Sequence, residues 1–304
     1  MNRKALSLLL LCMLLFSPSS TLPAWSDPSE RVFDDPWLVL RSLLVSYPDR
    51  ISLVDYDSVQ GDWFLEIDGT RLYWARGRLL LKKDLGTESQ WRAYVDYLYP
   101  DKIPDPSRFT EETIGRLNAE LLAEQRRNAL DFNPAFYTLL YGGESRRKIE
   151  ASITRFDWLT ARVSVHRSLV PALKRIEQRL NDEAGSNPEV ARFLSQISRI
   201  EGYNWREVRD STRRSQHSWG IAVDILPVGW GQKNIYWNWI SYWNEKWMLI
   251  PLDRRWMPPD AVVEIFEEEG FVWGGKWHLW DNMHFEYRPE LIVLGKWGYR
   301  GTPE

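Results

Sequence analysis

Ser215-Gln216-His217-Ser218-Trp219-Gly220-Ile221-Ala222-Val223-Asp224-Ile225 is the stretch on which both fold and chemistry turn. Ile221, Val223 and Ile225 alternate with Ala222, Asp224 and Leu226, the period-two pattern of a strand. Asp224 then sits among apolar residues in a core strand. A carboxylate there is costly unless it is paired or holds a metal. His217 lies seven residues earlier, and Gly220 permits a tight bend between them.

A second stretch completes the pattern. In Asp281-Asn282-Met283-His284-Phe285-Glu286-Tyr287, Met283, Phe285 and Tyr287 alternate with His284 and Glu286, again as in a strand. If the two strands are neighbours, His217, Asp224 and His284 converge. Two imidazoles and one carboxylate with a fourth position open make a catalytic zinc site. Hydrolysis at such a site needs a general base, and Asp281, three residues before His284, is the candidate. Glu286 competes for that role, but it shares the strand face of His284 and can instead orient an imidazole. Of the other two histidines, His166 reads as a core residue within a helical pattern. His278, between Trp277 and Leu279, reads as structural or as a substrate contact.

These residues carry a resemblance. Ser215-x-His217-x-x-Gly220-x-Ala222-x-Asp224, then Trp273-Gly-Gly-Lys-Trp277 and Asp281-x-x-His284-Phe-Glu, resembles the D-alanyl-D-alanine carboxypeptidase family of zinc peptidases. That family stands in a wider group with lysostaphin-type peptidases and the hedgehog signalling domain. The resemblance covers roughly residues 160–290. It implies a small α+β domain with a central antiparallel sheet and flanking helices. It implies zinc held by His217, Asp224 and His284, Asp281 as base, and a substrate that is the peptide stem of peptidoglycan, cut next to D-amino acids. Many relatives carry glutamate where this chain has Asp281; others, including endopeptidase-like branches, carry aspartate. Arg206 resembles an arginine that members carry shortly before the histidine motif. It would bind a substrate carboxylate or a developing oxyanion; the alternative is a surface ion pair with Glu207 or Asp210. Two partners are open to Ser215, the substrate or the site's own backbone. Removal of a terminal D-alanine and cleavage within the stem both fit, as does a binding or regulatory protein on the same zinc fold.

The rest of the chain sets the context. Its 304 residues, 44% hydrophobic and 27% charged, exclude collagen-like, disordered and multi-span membrane classes. The acidic balance, −3, gives no basic face for nucleic acid. Met1 to Ala24 reads as a signal peptide: Arg3 and Lys4, an apolar run from Ala5 to Phe16 too short to span a bilayer, then Leu22-Pro23-Ala24. Cleavage removes two positive charges, leaving −5, and the one cysteine, Cys12. The expected product is a periplasmic or secreted monomer with no stable membrane span.

Residues 25–130 read as a mixed N-terminal region of unreadable role, and 131–304 as the zinc domain. Asp68-Gly69 between two β-rich runs marks a hairpin over Asp62 to Leu81. Helices are expected over Glu88–Leu98, Thr110–Asn128, Ser168–Ala184, Asn187–Ile200 and Asp260–Glu269. The stretch from Trp230 to Trp256 holds six of the 18 tryptophans, as an aromatic-packed insert or as a cleft wall.

Overall fold

The computed structural model describes residues 35–95, 98–119, 130–206 and 214–298. The proposed signal segment, with Cys12, lies outside these residues. Helix α1 (Pro36–Ser46) opens the described chain, with Asp35 accepting from the Leu38 N–H and Pro36 in the first turn. It leads into an antiparallel meander of β1 (Ile51–Asp57), β2 (Asp62–Ile67), β3 (Thr70–Tyr73) and β4 (Leu80–Leu81). The Asp68-Gly69 turn joins β2 to β3, with both residues at positive φ, as the sequence predicts.

Helix α2 (Glu111–Ala119) follows, and the rest of the helix expected over Thr110–Asn128 runs into residues outside the described chain. Then come α3 (Ala135–Tyr141), α4 (Arg146–Glu150) and the hairpin β5 (Ile153–Trp158)–β6 (Ala161–His166). Helices α5 (Val170–Ala184) and α6 (Pro188–Ser195) precede β7 (Ile197–Glu201). The remaining elements are β8 (Ala222–Pro227), α7 (Trp237–Ser241), α8 (Asp260–Glu268), β9 (Phe271–Trp273), β10 (His284–Tyr287) and α9 (Pro289–Lys296).

The second sheet has the order β7-β8-β10-β9 and is antiparallel throughout. With helices packed on small antiparallel sheets, the arrangement is the mixed helix-and-sheet class that the sequence predicts. β8 is buried at all six positions, so it is a central strand covered on both faces.

Two expected helices turn out differently. Over Glu88–Leu98 only a short 3-10 turn, Glu88–Gln90, forms. Tertiary pairing overrides propensity there: Arg92 bridges Phe132, and the Tyr94 N–H donates to the Gly77 carbonyl. The helix expected to run to Ile200 stops at Ser195, and Ile197 to Glu201 pair with β8 as an edge strand.

One apolar core links the N-terminal region to the second sheet. Leu40 and Leu43 of α1, Phe136 of α3, Val223 of β8, Phe266 of α8 and Phe285 of β10 all belong to it, and α1 packs against α9. The tryptophan-rich stretch forms a smaller core of its own. Trp237 and Trp247 lie 4.9 Å apart and pack with Trp280, whereas Trp243 is 68% exposed. Among the described residues no helix is long and apolar enough to cross a membrane.

Candidate metal centre

A short 3-10 turn, Gln216–Trp219, delivers His217 to the head of β8. Gly220 ends that turn at φ +70, a region that L side chains rarely adopt. A Cβ there would also lie 2.6 Å from the His166 nitrogen and from Ile153 Cδ1, so the bend requires glycine. Asp224 and His284 are direct cross-strand partners on β8 and β10. Cross-strand partners share a face, so both side chains meet His217.

The three ligand atoms form a tight triangle. His217 Nε2 is 3.2 Å from Asp224 Oδ1 and 3.3 Å from His284 Nδ1, and the third edge, His284 Nδ1 to Asp224 Oδ1, is 2.8 Å. A tetrahedral zinc with ligands at about 2.0–2.1 Å places its ligand atoms about 3.3 Å apart. All three residues are buried, and they are the His/Asp group that could hold a metal among the described residues.

The protonation logic points the same way. His217 Nδ1 lies 2.7 Å from the Gly202 carbonyl, which only accepts, so the proton sits on Nδ1 and the Nε2 lone pair faces inward. His284 Nε2 lies 3.3 Å from Glu286 Oε2, which likewise favours a proton on Nε2 and a lone pair on Nδ1. Two imidazole lone pairs and a carboxylate oxygen then converge on one point, which needs a proton or a cation.

Without a cation, the proton goes to His284. Burial opposes its charge, but the hydrogen bonds to Asp224 and Glu286 and the charges of Asp224 and Asp281 outweigh burial, so its pKa rises well above the usual histidine value. Asp224 shows the converse. Burial works against its carboxylate, but His217 and His284 hold it well below the usual range. The donor set fits zinc, and a bound divalent ion would displace the His284 proton.

Asp281 stands beside this cluster. Its residue is half-buried, yet its Oδ1 is sealed from solvent and makes no hydrogen bond. Burial and the neighbouring Asp224 charge push its pKa up to about 8, against the opposing pull of His284, the Met283 N–H and Arg206. Arg206 is exposed, and its charge reaches both Asp281 and Tyr236. Ser218 clamps the Arg206 backbone, accepting from its N–H at 2.9 Å and donating to its carbonyl at 2.6 Å. Glu207 and Asp210, the alternative partners for Arg206, lie outside the described residues. The Ser215 hydroxyl accepts from the His217 N–H at 3.4 Å.

The structure adds residues that the sequence did not single out. The Gly202 carbonyl, which fixes the His217 tautomer, leaves no side-chain signal. Tyr236 forms an antiparallel bridge with Asp281, so the two side chains share a face. Burial and Asp281 push its phenol pKa up. Tyr236 comes from the tryptophan-rich stretch, which no motif marks.

The other two histidines stand apart. His278 is exposed, with its ring 5.6 Å from Phe109. His166 is a buried histidine whose Nε2 lies 3.1 Å from the Tyr141 carbonyl and whose Nδ1 accepts from the Ser168 N–H at 3.3 Å. Burial lowers its pKa to about 4, helped by the charges of Arg167 and Arg50. Between that value and the unfolded value of about 6.5, the unfolded chain binds a proton that the folded one refuses. Stability is therefore expected to fall from pH 6.5 to pH 4, with this group contributing a loss of about 3 kcal/mol. Urea unfolding across that window checks it: the difference between the parent and His166→Gln should shrink as the pH drops.

Comparison with known families bears on this centre. Residues 209–287 match the D-alanyl-D-alanine carboxypeptidase family. The matched segment holds all three ligand residues and Asp281, and it points to a metallopeptidase acting on D-Ala-D-Ala-like substrates. Residues 39–96 match a family described as a domain of unknown function. No curated protein and no solved structure matches the chain.

Proposed function

We propose that the chain is a zinc peptidase of the cell envelope that hydrolyses peptidoglycan stem peptides next to D-amino acids. The observation that carries this reading is the convergence of His217 Nε2, Asp224 Oδ1 and His284 Nδ1 inside the matched segment. Zinc held there would polarise the scissile carbonyl and lower the pKa of water.

The chain's own residues supply the proton handling. Asp281 takes a proton from the attacking water as the new C–O bond forms. It returns that proton to the amine nitrogen as the C–N bond breaks. A carboxyl with its pKa raised towards neutrality is suited to both steps. A nearby divalent charge draws that value back down, which favours the ionised form that starts the cycle. Arg206 offers a permanent positive charge at the open side of the site, to the oxyanion or to a substrate carboxylate. Glu286 and the Gly202 carbonyl hold the two imidazoles in their tautomers. The protein acts as a periplasmic or secreted monomer in this reading, with residues 131–304 as the peptidase domain.

Digestion of purified sacculi and muropeptides, with zinc and with a chelator, tests the proposal by mass spectrometry of the products. Loss of one alanine mass, blocked by the chelator, identifies a carboxypeptidase. A split stem or cross-link identifies an endopeptidase. Intact substrate retained on zinc-loaded protein removes the catalytic reading and leaves a binding protein.

A further inference from the structure

The metal cluster draws its ligand atoms from β8, β10 and the turn before β8. A buried chain of polar groups leads from it to residues 39–96. His284 Nε2 faces Glu286 Oε2 at 3.3 Å, and Glu286 Oε1 lies 3.7 Å from Arg288 Nη1. Arg288 Nε donates to Glu290 Oε1 at 2.5 Å. Glu290 is then held from the N-terminal region by two phenols: Tyr47 donates to Oε2 at 2.8 Å and Tyr94 to Oε1 at 3.2 Å. Arg288 also donates to the Tyr94 carbonyl at 3.4 Å and lies over the Tyr94 ring at 4.8 Å.

Every member is buried, with Glu290 0% and Arg288 2% exposed. The spacing is regular. His284, Glu286, Arg288 and Glu290 occupy alternate positions that run from β10 through Arg288, the N-cap residue, into the first turn of α9. Their charges alternate as well, from carboxylate to guanidinium to carboxylate. Arg288 is shared between Glu286 and Glu290, so whatever fixes Glu290 decides where Arg288 sits. Arg288 in turn sets Glu286, which selects the His284 tautomer. Burial and the Glu290 charge raise the pKa of both phenols well above the usual tyrosine value, so both remain donors.

The geometry points to Tyr47, Tyr94, Glu290 and Arg288 as positioning residues for the metal ligand His284, through which residues 39–96 brace the metal centre. The inference rests on the metal-site reading above. Outer partners of a ligating histidine typically change metal affinity by about 10- to 100-fold.

The test is the double variant Tyr47→Phe/Tyr94→Phe in the full chain. It removes both phenolic donors and keeps both rings. Three quantities are read: zinc affinity by chelator competition, the visible spectrum of the cobalt(II)-loaded protein, and the melting temperature of the metal-free protein. Zinc binding is expected to weaken by about 10-fold or more, with a shifted cobalt band. Trp158→Phe, which loses the indole bond to the Leu173 carbonyl outside this chain, serves as a stability control that keeps affinity and spectrum. Unchanged affinity and spectrum in the double variant, whatever its melting temperature, overturn the brace. If the unaltered protein binds neither zinc nor cobalt, the metal reading itself fails and the brace falls with it. Should the double variant not fold, Tyr47→Phe alone carries the same readouts, because Tyr47 is the residue that holds Oε2.

Discussion

Asp281→Ala is expected to lose turnover by about 100- to 10,000-fold, equivalent to about 3–5 kcal/mol of transition-state stabilisation, and to keep its zinc. The loss is confined to chemistry because the ligand triangle of His217, Asp224 and His284 does not include Asp281. Metal content by elemental analysis and kcat on muropeptides separate the two effects. Full activity in the variant would show that Asp281 is not the base.

A second readout belongs to the same side chain. The folded carboxyl has a pKa of about 8, against 3.8 for a free aspartate, so the folded state keeps a proton that the unfolded chain releases. Stability contributed by this group is full below pH 3.8 and is lost as the pH rises towards 8. Asp281→Asn should therefore raise the melting temperature of the metal-free protein at pH 7 while abolishing turnover. If Asp281 is the base, a cost of this kind to the fold is the trade expected at an active site. An unchanged or lower melting temperature would show that the buried carboxyl carries no such penalty.

His217→Ala and Asp224→Ala are expected to abolish metal binding, and with it both activity and the stability that the metal lends. An ion bound only by the folded state stabilises it by about 4 kcal/mol when present at about 1,000 times its dissociation constant. A chelator should then lower the melting temperature of the parent protein and leave either variant unmoved. A chelator response that survives in His217→Ala would place the metal elsewhere. Asp224→Ala carries a further cost, because it leaves the raised-pKa imidazole of His284 without its main partner.

The candidate centre was legible because its chemistry follows strand periodicity. Asp224 and His284 each stand at an alternate position of an apolar run, and Gly220 marks the bend that returns His217 to them. Register was the part out of reach. Only the β8–β10 pairing shows that Asp224 and His284 are direct partners, since no local signal specifies which residues face each other across two strands distant in sequence. The β2–β3 hairpin was legible because its turn is local. The stretch after Glu88 was misread as a helix because Arg92 and Tyr94 are fixed by residues from elsewhere in the chain. Of the proposed tyrosine–glutamate brace, Glu286 lies on the strand of His284, but Glu290 already belongs to α9, so strand alternation does not mark it. Tyr47 and Tyr94 sit 243 and 196 residues before Glu290.

The carbonyl of Gly202 and the carboxylate of Glu290 fall on either side of the matched segment 209–287. β7, the edge strand that hydrogen-bonds β8, also lies before it. A gene fragment that encodes the matched segment alone would carry His217, Asp224, His284, Asp281 and Glu286 without the Gly202 carbonyl or the edge strand. Family boundaries here mark where sequences can be aligned, and hydrogen bonds of the site run past them. If the proposed brace holds, a transplant of this site to another host chain has to bring along Gly202, Glu290, Tyr47 and Tyr94.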